Sequence, residues 1–286
     1  MSTALVLEGG AMRGMFTCGV IDVFMENGID FDACVGVSAG AVFGCNYKSR
    51  QIGRGIRYNK KYCRDPRYGT IRSLIRTGDI YDADLCYRQI PDVLDPFDRD
   101  AIKKNPMRFY IGATDIVTGQ TVFHECIDGE GTDIDWFRAS ASLPLVSKAV
   151  TIGERTLLDG GITDPIPYRF MEKKGYDKIV IVLTQHRGYR KKKSAMQPII
   201  NGTMRKYPRL IEAMKRRHLV YNAQLREVAR RERDGRALVI RPPVPVGISR
   251  TEHDPMELER VYRMGRTEGL KRLEDVRRYL AAGNNG

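Results

Sequence analysis

The first fifty residues switch repeatedly between two periods of apolar positions. Ala4-Leu5-Val6-Leu7 is a continuous apolar run within residues 3–8, the pattern of a strand buried on both faces. A glycine-rich turn, Glu8-Gly9-Gly10-Ala11-Met12-Arg13-Gly14, follows it. Residues 15–27 then take helical spacing through Met15, Val20, Val23 and Phe24, and Asn27-Gly28 stops the helix. Residues 33–37 return to strand character and lead into a small-residue helix that runs to about Tyr47. Such a βαβα unit predicts a mainly parallel sheet wrapped by helices.

The pattern beyond it is mixed. Residues 48–106 are broken by Gly and Pro and predict short helices and loops covering the site around the end of the second strand. Residues 108–114 predict a strand, Asp115–Gly119 a turn, and Gln120–His124 a returning strand. Residues 134–142 predict a helix that ends at Leu143-Pro144-Leu145-Val146. Residues 151–158 predict a hairpin running into Asp159-Gly160-Gly161, and the β-branched run 178–184 a buried parallel strand. Further on, helices are expected over 205–233 and 255–281, with a short strand at 237–241.

Charge divides the chain. Residues 1–184 are near neutral, with 23 basic against 24 acidic side chains, whereas residues 185–286 carry 25 against 11. Residues 48–76 are a second basic stretch with ten Lys or Arg against Asp65 alone, and tyrosines are interleaved. This distribution points to an anionic partner or to solvated helix faces. Nucleic acid fits poorly, because no recognition module and few stacking aromatics accompany the C-terminal charge. The six cysteines show no C-x-x-C, and no signal pattern precedes the first strand. Free thiols, a cytoplasmic location, and neither metal nor cofactor are expected.

Two features carry chemistry. Gly36-Val37-Ser38-Ala39-Gly40 lies between a strand and a helix, the setting in which G-x-S-x-G marks a nucleophilic serine. The Gly9–Gly14 turn departs from a dinucleotide fingerprint, since its third motif position is Ala11 and the second strand ends at a serine rather than an acid. Following a neighbouring parallel strand, it would instead present backbone N–H groups beside Ser38, as an oxyanion hole requires. The serine needs a base. Of His124, His186, His218 and His253, the second and fourth fit the hydrolase order of serine before histidine; Asp159, on its Gly-Gly turn, is the carboxylate alternative.

Taken together, Gly9-Gly10-Ala11-Met12-Arg13-Gly14, Gly36-Val37-Ser38-Ala39-Gly40 and Asp159-Gly160-Gly161 resemble the patatin-like phospholipases. The likeness covers about residues 3–184 and is strongest to the bacterial branch with a basic C-terminal extension. It implies a three-layer α/β/α domain with a mainly parallel sheet over 3–184, and a basic, mainly helical extension over 185–286 packed on it. It further implies a metal-free Ser38–Asp159 dyad without histidine and an oxyanion hole from the N–H groups of Gly10 and Ala11. Arg13 takes the family's basic position, and Gly9 and Gly14 keep the loop geometry. The implied substrates are fatty-acyl esters of phospholipids, lysophospholipids or glycerides. The basic, tyrosine-bearing stretch 48–76 is expected to hold the protein at an anionic membrane surface, on its inner face. The family loop usually has a third glycine where this chain has Ala11. A methyl group there disfavours positive φ by about 1–2 kcal/mol, which leaves open a weak or inactive protein that only binds acyl lipids or anionic partners.

Overall fold

The computed structural model describes residues 1–282. In chain order the elements are β1 (Thr3–Leu7), a 3-10 turn (Ala11–Gly14), α1 (Met15–Glu26), β2 (Ala33–Val37), α2 (Ala39–Lys48), α3 (Arg54–Tyr62) and α4 (Ile71–Thr77). A π-helix (Leu85–Leu94), α5 (Arg99–Lys104), β3 (Arg108–Asp115), β4 (Gln120–Cys126) and α6 (Thr132–Ser140) follow. After these come β5 (Val150–Ile152), β6 (Arg155–Asp159), α7 (Tyr168–Lys173), β7 (Lys178–Val182), α8 (Gln197–Thr203), α9 (Pro208–Arg233), β8 (Ala237–Ile240) and α10 (Pro255–Ala281). The expected α/β fold is observed. An eight-stranded sheet runs in the order β5-β6-β3-β2-β1-β7-β8, and β4 pairs with β3. Pairing is parallel from β3 through β2, β1 and β7 to β8.

Alternation along β1 sorts the two faces. Leu5 and Leu7 join a core with Phe16 and Phe24 of α1 and Val261 and Val276 of α10. Ala4 and Val6 join Tyr168 of α7 and Tyr221 and Val228 of α9 on the other face. Each large side chain buried this way contributes about 1.5–3 kcal/mol. Residues 237–240 extend the sheet beside β7. Helix α10 crosses α1 almost backbone to backbone: a Cβ on Gly19 would lie 2.1 Å from the Tyr262 carbonyl oxygen, and one on Gly265 would lie 2.0 Å from that of Phe16. No larger residue fits that crossing.

The register of β3 sets the geometry that matters. Strand β4 occupies one edge of β3 from Phe109 to Asp115. On the other edge β2 pairs from Arg108 to Gly112, ending with Val37 opposite Gly112. Strand β6 arrives antiparallel on that same edge, with Asp159 opposite Ala113. The chain therefore leaves β2 at Ser38 at the point where β6 brings in Asp159. All six cysteines are unpaired, and no described helix is long and apolar enough to cross a membrane.

Candidate active site

Ser38 sits between β2 and α2 with φ 54° and ψ −127°. A non-glycine residue held there stores about 1–3 kcal/mol of strain. The backbone locks it in place: the Ser38 carbonyl accepts from the N–H groups of Ala41 and Val42, and the Ser38 N–H donates to Ser140 Oγ at 2.8 Å. Ser140 Oγ donates in turn to the Gly112 carbonyl at 2.6 Å, which ties the turn to β3. Gly36 and Gly40 make the turn tight. A Cβ on Gly40 would lie 2.3 Å from the Leu7 carbonyl oxygen, so only hydrogen lets α2 start against the end of β1. Although Ser38 stands at the N-cap of α2, its hydroxyl does not cap the helix.

That hydroxyl instead donates to Asp159 Oδ2 at 2.6 Å. The other carboxylate oxygen, Oδ1, accepts from the Gly161 N–H at 2.7 Å. The Asp159 N–H donates to the Ser142 carbonyl, and its own carbonyl accepts from Thr114 Oγ1. Gly160 turns the chain against β3, where a Cβ would lie 2.2 Å from the Gly112 carbonyl oxygen. Asp159 is buried, and burial pushes its carboxyl above the ordinary aspartate value; the Arg217 guanidinium, the Ser38 hydroxyl and the Gly161 N–H oppose this without overcoming it. A desolvated carboxylate in direct contact with a hydroxyl is a stronger base than one in water.

The glycine-rich loop lies alongside. A Cβ on Gly9 would lie 2.9 Å from Ser38 Cβ, Gly10 abuts Thr184, and Gly14 packs on Phe43 of α2. Met12 is buried in the core, while Arg13 is half-buried. The Gly10 carbonyl accepts from the Arg13 N–H, closing the 3-10 turn. Ala11 has φ 49°, the left-handed conformation that glycine would adopt freely. The strained conformation is thus retained with a methyl group. Ala11→Gly is expected to stabilise the protein by about 1 kcal/mol, raising Tm by about 2 °C. Differential scanning calorimetry checks this, and a lower Tm would show that the loop is not strained at this position.

Ser38, Ala11 and Leu143 border two cavities of opposite character. One, of about 170 Å³, is largely apolar and is walled by Val42, Phe43, Tyr58, Tyr81, Ile90 and Phe97. The other, about 50 Å³, is polar and is lined by Glu8, Arg13, Lys191, Arg217, Tyr221 and Arg250. The segment expected to cover the site forms the wall of the apolar cavity. Its tyrosines point inward: Tyr58, Tyr62 and Tyr68 are buried. Part of its positive charge also turns inward. Buried Arg54 donates through Nη1 to Asn46 Oδ1 and through Nη2 to the Asp95 carbonyl, while Arg57 stays exposed and pairs with the Asp95 carboxylate.

None of the four histidines lines either cavity. His124 bonds Asp133 and stacks on Trp136 with ring planes 7° apart. His253 bonds the Cys63 carbonyl, His186 bonds the Arg187 carbonyl, and His218 lies within α9. Sequence reasoning did not single out Ser140, Lys191, Arg217, Tyr221 or Arg250. Ser140 sits in an unremarkable Ala-Ser-Ala-Ser run, and the others lie in a generally basic region with no motif of their own.

Residues 5–171 match the family described as patatin-like phospholipase, and residues 207–281 match a domain of unknown function (DUF6363). An uncharacterised NTE family protein of Mycobacterium tuberculosis (strain ATCC 25618 / H37Rv) is 29% identical over 164 residues, covering 57% of this chain and 44% of that protein. Lysophospholipase NTE1 of Debaryomyces hansenii is 30% identical over 186 residues, covering 63% of this chain and 12% of that protein. The chain spans about half the length, or less, of these curated relatives. Among solved structures, VipD from Legionella pneumophila aligns with a TM-score of 0.46 at 11% identity, covering 96% of this chain and 67% of that one.

Proposed function

This chain belongs to the patatin-like phospholipase family, a family of lipid hydrolases, and we propose that it is a serine acyl hydrolase that uses a Ser38–Asp159 dyad on fatty-acyl esters of phospholipids or lysophospholipids. The observation that carries this reading is the 2.6 Å hydrogen bond from the strained Ser38 hydroxyl to the buried Asp159 carboxylate. Ser38 Oγ attacks the ester carbonyl carbon while Asp159 Oδ2 takes its proton. The N–H groups of Gly10 and Ala11 and the positive end of α2 stabilise the tetrahedral oxyanion. The C–O bond to the alcohol breaks, and Asp159 returns the proton to the leaving oxygen. Water then attacks the acyl-serine by the same path in reverse, giving up a proton to Asp159 and regenerating Ser38 as the fatty acid leaves. The apolar cavity beside Ser38 offers a place for the acyl chain. The description of the yeast relative as a lysophospholipase is compatible with this substrate class.

The test is covalent capture with an alkyl fluorophosphonate and location of the adduct by mass spectrometry. Labelling at Ser38 is expected; a wild-type protein that stays unlabelled would leave only lipid binding without turnover. Ala11 was the residue that favoured that second reading, and its φ of 49° keeps the loop in its strained form.

A cytoplasmic protein working at the inner face of a membrane is part of the same proposal. Ile71 and Ile75 on α4 are 72% and 81% exposed, one turn apart, and exposed arginines flank them. An apolar pair among cations suits an anionic lipid interface. Ile75→Asp is expected to reduce co-sedimentation with vesicles containing anionic phospholipid by about tenfold. Equal retention on purely zwitterionic vesicles would count against the electrostatic part.

A further inference from the structure

The polar cavity on the second side of Ser38 holds Asp159 and the Gly10–Ala11 loop, and it also carries a set of basic side chains that the chemistry above does not use. It is lined by Arg13, Lys191, Arg217 and Arg250, with Glu8 and Asp159 as the acids facing them. Both acids are already engaged. Glu8 accepts from Tyr221 Oη and from the Thr184 N–H, and Asp159 accepts from Ser38 and Gly161. No salt bridge among the described residues involves any of the four cations.

Arg217 and the Lys191 backbone are held in place by hydrogen bonds, while Arg250 is exposed at the rim. Arg217 reaches in from α9, and its Nε donates to the Gly161 carbonyl at 2.7 Å, next to Asp159. The backbone of Lys191 is clamped at both its N–H and its carbonyl by the Asn222 side-chain amide. Lys191 Nζ lies 5.1 Å from the centre of the Tyr221 ring. Arg13 Nε is buried without an acceptor. Burial, together with the charges of Arg217, Arg13 and Arg250, pushes Lys191 down to about 8. Four cations share this cavity with only two carboxylates, so positive charge is in excess, and an anion placed among them would offset their repulsion.

We propose that Arg13, Lys191, Arg217 and Arg250 form a phosphate-binding subsite that selects esters carrying a phosphate close to the scissile carbonyl. This rests on the reading of Ser38 as the nucleophile. A cavity of about 50 Å³ is several times the space one water needs, so a phosphate group fits it. Guanidinium forks and a lysine match phosphate oxygens. Ser38 borders both cavities. A lipid with its acyl chain in the apolar cavity and its phosphate in the cationic one therefore presents its ester carbonyl at Ser38. Three of the four cations lie beyond residue 184, which gives the basic C-terminal segment a role at the site.

The experiment compares one acyl chain carried as a monoacylglycerol or as a 1-acyl-glycerol 3-phosphate, both below micelle formation. Hydrolysis is measured in wild type, Lys191→Met and Lys191→Arg, and binding of the same two lipids is measured in Ser38→Ala. Wild type is expected to favour the phosphorylated ester by at least about tenfold in kcat/KM. Lys191→Met should lower that ratio by about tenfold, chiefly through KM, and Lys191→Arg should restore most of it. Arg217 is a poorer probe, because it also holds the Gly161 carbonyl. Equal kcat/KM for the two esters in wild type overturns the subsite and leaves the hydrolase reading intact. No turnover, but tighter binding of the phosphorylated lipid to Ser38→Ala that Lys191→Met abolishes, overturns the hydrolase reading and supports the subsite. Inorganic phosphate distinguishes a headgroup from a free anion. If it displaces the phosphorylated lipid at equal concentration, the cavity is a free-anion site, and the substrate assignment fails.

Discussion

Replacing Ser38 with Ala is expected to abolish fluorophosphonate labelling and to lower ester hydrolysis by at least about a thousandfold, because among the described residues no other hydroxyl donates to the Asp159 carboxylate. The variant should fold. The turn is fixed by backbone bonds to Ser140, Ala41 and Val42, none of which uses the Ser38 hydroxyl. Alanine keeps the Cβ and therefore keeps the strain of φ 54°. Ser38→Gly separates the two contributions. It removes the nucleophile equally, but glycine adopts this conformation without strain, so a gain of about 1 kcal/mol in stability is expected after its larger unfolded-state entropy is deducted. Parallel activity assays and thermal melts read both effects. A Ser38→Ala protein that hydrolyses lipid at the wild-type rate would move the chemistry away from this turn. A Ser38→Gly protein less stable than Ser38→Ala would show that the backbone is not under load.

How much of this was visible in the chain follows from which features are local. The strand–turn–helix around Ser38 was legible, because a parallel buried strand and a small-residue helix leave their periods in a few consecutive residues. The helix expected over 255–281 appears at Pro255–Ala281, and the one expected over 205–233 begins at Pro208. The proximity of Ser38 and Asp159 was not derivable from spacing. It arises because β4 blocks one edge of β3 and forces β2 and β6 to share the other, a pairing between residues 121 positions apart. Family resemblance supplied that pair where periodicity could not. The cover over the site was legible only as broken structure; its π-helix holds Pro91, and sequence rules read such a proline simply as a break. Helix α8 carried no clear period and was not anticipated. Lys191 and Arg217 were invisible as a pair for a further reason: in a segment with 25 basic residues, nothing marks the few that turn inward.

Asp159→Asn is expected to lower hydrolysis by about 10²–10⁴-fold, the usual contribution of a positioned base, while making the protein more stable at neutral pH. The two effects have one origin. Burial raises the Asp159 carboxyl above the ordinary aspartate value. A group raised in the folded state favours folding fully below its unfolded value, and that contribution is lost as pH climbs through the folded value. Above that point the fold carries an ionised, desolvated carboxylate, the form needed to accept the Ser38 proton. Asparagine keeps an oxygen for the Gly161 N–H and removes the charge. Its Tm advantage over wild type should therefore be largest at neutral pH and vanish as pH falls toward the unfolded aspartate value near about 4. The wild-type rate should show the mirror image, falling as the solution is acidified through the raised value because the base becomes protonated. Melting curves and kcat/KM from pH 4 to 8 test both arms on the same samples. If Asp159→Asn melted lower than wild type at neutral pH, the carboxylate would be stabilising rather than strained. If it still labelled with fluorophosphonate at the wild-type rate, the proton would be leaving Ser38 by another route.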